Sequence, residues 1–157
     1  MPHALGSGCE MQEQVDPFGW VGATIDGKYR IDEVVGEGGF GVVYRGYHLG
    51  FSEAVAIKCL KFSGSMSGPE REAFHATFIE EGRILLRLSR ASAGVVQALD
   101  VGAAVSPTGV WVPYLVLEWL RGVPLNRDLA DRIERGEAGR PLSEALALLA
   151  PAARVRT

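Results

Sequence analysis

The segment GEGGFGVVYRG, Gly36 to Gly46, sets five glycines around one phenylalanine and runs straight into a strand-favouring stretch with Val42, Val43 and Tyr44. Glycine loses more backbone freedom on folding than any other residue. A cluster of glycines therefore needs a reason, either positive φ angles or a ligand that comes closer to the backbone than a Cβ permits. Phosphate is the obvious candidate ligand, and the residues after the glycines separate the possible motifs. A Walker-type loop ends in Gly-Lys-Ser/Thr, a tripeptide the chain lacks. A dinucleotide-binding turn opens a helix at once, whereas valine and tyrosine favour strand. Two readings remain. One is a strand-loop-strand lid in which Gly36, Gly38 and Gly41 let the backbone fold over phosphates. The other is a glycine-rich hairpin turn with no ligand.

The rest of the chain limits what such a hairpin can belong to. A length of 157 residues suits one domain that buries about two thirds of its unfolded surface. The net charge of −3, with both signs interspersed, gives no electrostatic footprint for nucleic acid or an anionic membrane, and neither partner is expected. Cys9 and Cys59 have no Cys or His at metal-ligand spacing, so neither a zinc site nor a disulfide framework is indicated and a reducing cytoplasm fits best. The longest apolar stretch, GVWVPYLVLEWL, is broken by Pro113 and Glu118 and is far short of the ~20 residues a spanning helix needs. No basic segment followed by an apolar one marks an export signal.

Residues 1–24 mix Gly, Ser, Gln, Pro and acids without periodicity and read as a flexible leader. KYRIDEVVG, FGVVYRGYHL and EAVAIKCLK then predict three strands in an antiparallel meander. Ser67 and Glu70 stand at capping-box spacing with Pro69 in the first turn, which predicts a helix from about Pro69 to Leu88. VVQALDVGA and VWVPYLVLEWL, joined by a Pro-Thr-Gly turn, predict a further strand pair. The expected fold is α+β, a five-stranded antiparallel sheet with one packed helix over 25–121. Helical segments follow over 122–157, with Pro151 expected to stop the last one early.

Two charged residues stand out against this frame. In AVAIKCL, Ala56 and Lys58 share one face of the strand while Val55, Ile57 and Cys59 share the other. A lysine beneath a glycine hairpin supplies a point charge for phosphate oxygens, and the small Ala56 leaves room for a flat ring. The alternative is a surface lysine that snorkels from an edge strand. On the helix, Phe74, Phe78, Glu81, Leu85 and Leu88 form a stripe in which Glu81 is the one charged member. A carboxylate in an apolar seam needs a partner, and Lys58 is the natural one. The alternative is that the helix turns slightly and leaves Glu81 exposed at the stripe's margin. Neighbouring Glu80 is expected to face solvent.

YRIDEVVGEGGFGVVYRG, VAIK, FIEEGRILLRL and YLVLEWLRGVPL, in this order and spacing, resemble the amino-terminal lobe of a protein kinase, closest to bacterial serine/threonine kinases. The resemblance implies ATP as cofactor and a loop of Gly36, Glu37, Gly38, Gly39, Phe40, Gly41 and Val42 over its phosphates, with Phe40 at the tip. It implies that Val35 and Val43 cover the adenine beside Ala56. Lys58 and Glu81 become the catalytic pair, Lys58 on the α- and β-phosphates and Glu81 orienting it. Leu117 becomes the residue behind the adenine, and the backbones of Glu118 and Leu120 its hydrogen-bond partners.

The same resemblance exposes what is missing. Family members take the hydroxyl proton with the aspartate of a His-Arg-Asp loop and hold magnesium with an Asn and the aspartate of Asp-Phe-Gly. Neither loop occurs in the 157 residues, so Mg²⁺ is expected with ATP but its protein ligands are not here. NRDL at Asn126 to Leu129 imitates the first loop, yet Ala130 and Ile133 stand where Lys and Asn belong, so Asp128 reads as a solvated helix residue. The chain is expected to be truncated within the carboxyl-terminal lobe and inactive alone. A non-catalytic module that binds a partner, such as a kinase carboxyl lobe on another chain, is the competing expectation.

Overall fold

A computed structural model describes residues 15–61 and 67–153; Cys9 and the first part of the expected leader lie outside them. In chain order the elements are β1 (Thr24–Ile25), β2 (Tyr29–Gly38), β3 (Gly41–His48), β4 (Glu53–Leu60), α1 (Gly68–Ala91), β5 (Ala98–Val105), β6 (Trp111–Glu118), α2 (Leu125–Glu134) and α3 (Leu142–Ala153). The strands form one antiparallel sheet in the order β1-β2-β3-β4-β6-β5.

The α+β expectation holds, but the sheet has six strands where five were expected. The added strand is β1, which pairs Thr24 with Arg30 and Ile25 with Tyr29. Asp26 and Gly27 create it: both have positive φ, 49° and 64°, the backbone a tight primed hairpin turn requires. Ile25 is thereby brought fully into the core.

Strand alternation builds that core. Val42 and Tyr44 of β3, Val55, Ile57 and Cys59 of β4, and Val112, Tyr114 and Val116 of β6 are buried on a single face, joined by Tyr29 and Ile31 of β2. Pro113 is tolerated inside β6 because pairing with β4 begins only at Tyr114, so its missing N–H falls where no β4 partner waits.

The segment before β1 corrects the leader expectation from Asp16 onward. Phe18 and Trp20 are 6% and 4% exposed and belong to the core cluster. Asp16 fastens them: its carboxylate accepts the N–H groups of Phe18 at 3.2 Å, Gly19 at 2.9 Å and Val21 at 2.7 Å, and the Tyr44 hydroxyl at 2.6 Å. One side chain thus closes a turn and ties it to the centre of β3.

The helix α1 begins as the capping-box spacing predicts, with the Ser67 N–H donating to the Glu70 carboxylate at 2.7 Å. It packs on β5 and touches β6. Its most buried positions are Phe78 and Gly82. Gly82 permits the close approach, since a Cβ there would lie 3.3 Å from the Val101 side chain. The helix α3 runs through Pro151 to Ala153 and does not stop early. So near a helix end the proline forfeits a single backbone bond, and the expected break does not occur. No helix among the described residues is long and apolar enough to cross a membrane.

Candidate functional site

Strand register places the expected site residues in transverse rows across the sheet. Gly36 pairs with Val43, Val43 with Lys58, Lys58 with Leu115, and Leu115 with Val101 beneath α1. The neighbouring row runs Arg45, Ala56, Leu117 and Ala98. Alternation turns Val43, Ala56, Lys58, Leu115 and Leu117 to the face opposite the core, where they are half-buried except for Lys58, which is exposed. Glycine hairpin, lysine strand and helix therefore meet along one line.

The hairpin has a two-residue turn, Gly39-Phe40, between the paired Gly38 and Gly41. Phe40 stands at its tip, 86% exposed. The glycines divide into two kinds. At Gly41 a Cβ would overlap the Cys59 carbonyl oxygen and lie 3.3 Å from the Leu60 Cα, so the packing of β3 on β4 demands glycine. Gly36, Gly38 and Gly39 have open space around a would-be Cβ and no positive φ, so nothing inside the described chain accounts for them. A register shift between Val34 and Gly36 makes Val35 the extra residue of a bulge, 38% exposed, while Val34 packs against the core. Val42, expected among the cofactor contacts, is fully buried on the core face, and strand alternation removes it from the site. Glu37 is ion-paired with Lys61.

Between the sheet and α1 lies a cleft of about 310 Å³ lined by Lys58, Leu60, Phe78, Glu81, Leu85 and Leu115, among others. Lys58 and Glu81 line it together but form no ion pair, and both are exposed. This corrects the expected buried pair. Because Gly82 is the residue pressed on Val101, Glu81 stands at the margin of the packed stripe, where water solvates its carboxylate and no partner is required. Glu80 faces solvent as expected, bridged to Arg83 at 3.2 Å and Arg87 at 3.4 Å.

At the end of β6, the Glu118 N–H donates to the Gln97 carbonyl at 2.9 Å and its carboxylate accepts the Gln97 N–H at 2.8 Å. Leu120, 63% exposed, makes no backbone hydrogen bond among the described residues, so its N–H and carbonyl are open to a ligand edge. Beside it the Arg45 guanidinium lies 5.4 Å from the Trp119 ring centre. Asp128 is not merely solvated. It forms an ion pair with Arg140, whose guanidinium holds its carboxyl below the usual carboxylate range and also reaches Glu144. The pair ties α2 to the start of α3.

Sequence reasoning missed three buried tyrosines that anchor carboxylates at the rim of the core. Tyr29 donates to Asp100 at 2.7 Å, Tyr44 to Asp16, and Tyr114 to Asp26. Burial raises each phenol above its ordinary range and the carboxylate bond raises it further. Burial likewise pushes the Cys59 thiol up to about 12. The alternating Tyr44 and Tyr114 signalled core positions; nothing in the sequence signalled their distant aspartates.

An antiparallel sheet with a glycine hairpin, a lysine on the next strand and one helix across a cleft is the architecture of a kinase amino-terminal lobe. No protein-family model matches the chain. It is 30% identical over 128 residues to the serine/threonine-protein kinase PksC of Streptomyces coelicolor, covering 82% of this chain and 22% of that protein. To the serine/threonine-protein kinase PknA of Mycobacterium tuberculosis it is 33% identical over 106 residues, 68% of this chain and 23% of that one. Among solved structures it resembles the PknI kinase domain of Mycobacterium tuberculosis, with a TM-score of 0.60 and 25% identity over 85% of this chain and 49% of that domain. The chain belongs to the protein kinase family, as a counterpart of the amino-terminal lobe in bacterial serine/threonine kinases. It spans about a fifth of the length of those curated relatives, 22% and 23%.

Proposed function

We propose that this chain is the ATP-binding part of a protein serine/threonine kinase. The supporting observation is the transverse row Gly36, Val43, Lys58 and Leu115, which sets a glycine hairpin without internal justification for its glycines beside an exposed lysine in an open cleft. Of the expected contact residues, Lys58 and Glu81 line the cleft of about 310 Å³ between the sheet and α1, while the hairpin stands outside its lining. The residues present fit the triphosphate: Lys58 is an unpaired cation for its oxygens, and the open glycine backbones allow close approach. ATP would supply the transferable phosphoryl group. Lys58 would hold its phosphates, Val35 and Val43 would cover the base, and Glu81, across the cleft, would orient Lys58 once the helix closes. Among the described residues no three metal-ligating side chains converge.

The 157 residues contain neither His-Arg-Asp nor Asp-Phe-Gly, so we expect nucleotide binding without phosphoryl transfer by this polypeptide alone. Titration with ATP should show one saturable site that Lys58→Met weakens at least tenfold. Radiolabelled phosphotransfer by the 157-residue chain that Lys58→Met abolishes would overturn the inactive reading. The competing reading, a non-catalytic module that binds a protein partner, draws on the exposed Leu125, Leu129 and Ile133, spaced four apart along α2. A chain that stays monomeric and captures no kinase carboxyl lobe would count against it.

A further inference from the structure

The glycine hairpin carries an acidic residue where an acid is unfavourable. Glu37 is the one charged residue between Glu33 and Arg45, and it sits two positions before the Gly39-Phe40 turn. A carboxylate on a lid that closes over phosphate repels the ligand unless a cation compensates it. Lys61 supplies that cation: its ammonium pairs with the Glu37 carboxylate, the sole ion pair of Glu37 among the described residues. The lysine is not a loosely placed surface group. Its own backbone N–H donates to the Phe40 carbonyl at 3.2 Å, one residue past the last β3–β4 pair, Gly41 with Leu60. Lys61 is half-buried and Glu37 exposed, with side-chain exposures of 31% and 41%.

The placement separates Lys61 from Lys58. Glu37 pairs in register with Val42, which points into the core, so Glu37 and Lys61 meet at the back of the hairpin. Lys58 lies on the opposite face, toward the cleft. The strand β4 therefore carries a cation for the ligand on its front, and the residue just past its end carries a cation for the lid on its back.

We propose that Lys61 is the counter-ion of the glycine-rich lid, neutralising Glu37 so that the hairpin accepts a polyanionic nucleotide; the proposal rests on the ATP-lid reading above. Lys61 is a positioning residue that acts through charge, without touching the ligand. An uncompensated carboxylate some 7 Å from two phosphate charges in a water-like dielectric weakens binding about sevenfold.

The test uses the 157-residue chain, with ATP and uncharged adenosine as the two probes in calorimetric titrations. Lys61→Met should weaken ATP about sevenfold and Glu37→Gln should tighten it about threefold, because each leaves one charge of the pair unopposed. The double variant should return near the parent, adenosine affinity should stay constant throughout, and added salt should shrink the differences. If both single variants weaken ATP and adenosine alike, the pair is a mechanical clasp and the proposal falls. It falls equally if ATP affinity depends on Lys58 while all three lid variants match the parent. If the parent binds neither probe, the ATP-lid reading itself fails and takes the counter-ion role with it.

Discussion

Replacing glycines of the hairpin by alanine, one at a time, separates glycine kept for packing from glycine kept for a ligand. At Gly41 the new methyl would overlap the Cys59 carbonyl oxygen and crowd the Leu60 Cα at 3.3 Å, both backbone atoms of a central strand that cannot swing aside. Relief requires β3 and β4 to part locally, next to Val42 and Cys59, which are fully buried. Overpacking of this kind costs about 2–3 kcal/mol, and in a domain of this size that lowers Tm by roughly 10 °C. At Gly36 and Gly38 the methyl meets nothing within 4 Å and φ is not positive, so the substitution is neutral or slightly stabilising, by about 0.4–1 kcal/mol through the unfolded chain. The same methyl stands where phosphate would approach the backbone, so ATP affinity should fall about tenfold with the fold intact. Thermal melts and ATP titrations of the three variants side by side provide the assay. Parent-like melting of Gly41→Ala would refute the strand packing, and undiminished ATP affinity in Gly36→Ala and Gly38→Ala would refute the lid.

Asp16→Ala removes the acceptor of three N–H groups and of the Tyr44 hydroxyl, and should destabilise the chain by about 2–4 kcal/mol in urea, releasing Trp20 fluorescence toward that of the unfolded state. Tyr29, Tyr44 and Tyr114 are raised above the ordinary phenol value of 10.0, chiefly by burial, so the folded state holds their protons more tightly. That contribution is complete below about pH 10 and is lost as pH rises above it toward the folded values, so stability should fall on the alkaline side and tyrosinate absorbance should appear in step with unfolding. Asp128→Asn should leave ATP affinity unchanged while loosening the α2–α3 connection, seen as faster amide exchange around Arg140, because Asp128 serves Arg140 and no ligand.

The parts of the fold carried by local pattern were readable from sequence. Alternation in AVAIKCL put Lys58 on the face opposite Ile57, and Ser67 with Glu70 fixed the start of α1. What escaped depended on partners distant in sequence. Nothing local to Asp16 announces Tyr44, yet that bond converts an expected leader into part of the core. The Asp26-Gly27 hairpin was legible in principle, since Asp-Gly before KYRI is a tight-turn signal, but a two-residue strand is shorter than any periodicity can reveal. The helix stripe was offset because a glycine, Gly82, makes the closest contact, and hydrophobic spacing gives glycine no weight. That offset moved Glu81 from a buried seam to the edge of the cleft. Val42 holds a motif position, but strand alternation turns its side chain into the core.

The central claim, that Lys58 meets the phosphates of a bound nucleotide, is tested most directly by an adenosine derivative with a lysine-reactive sulfonyl fluoride in place of the phosphates, followed by peptide mass mapping. Lys58 should be the principal modified residue, and excess ATP should suppress its labelling while excess adenosine and inorganic phosphate together suppress it less. Modification spread evenly over Lys28, Lys58 and Lys61, or labelling of Lys58 that ATP leaves untouched, would contradict it.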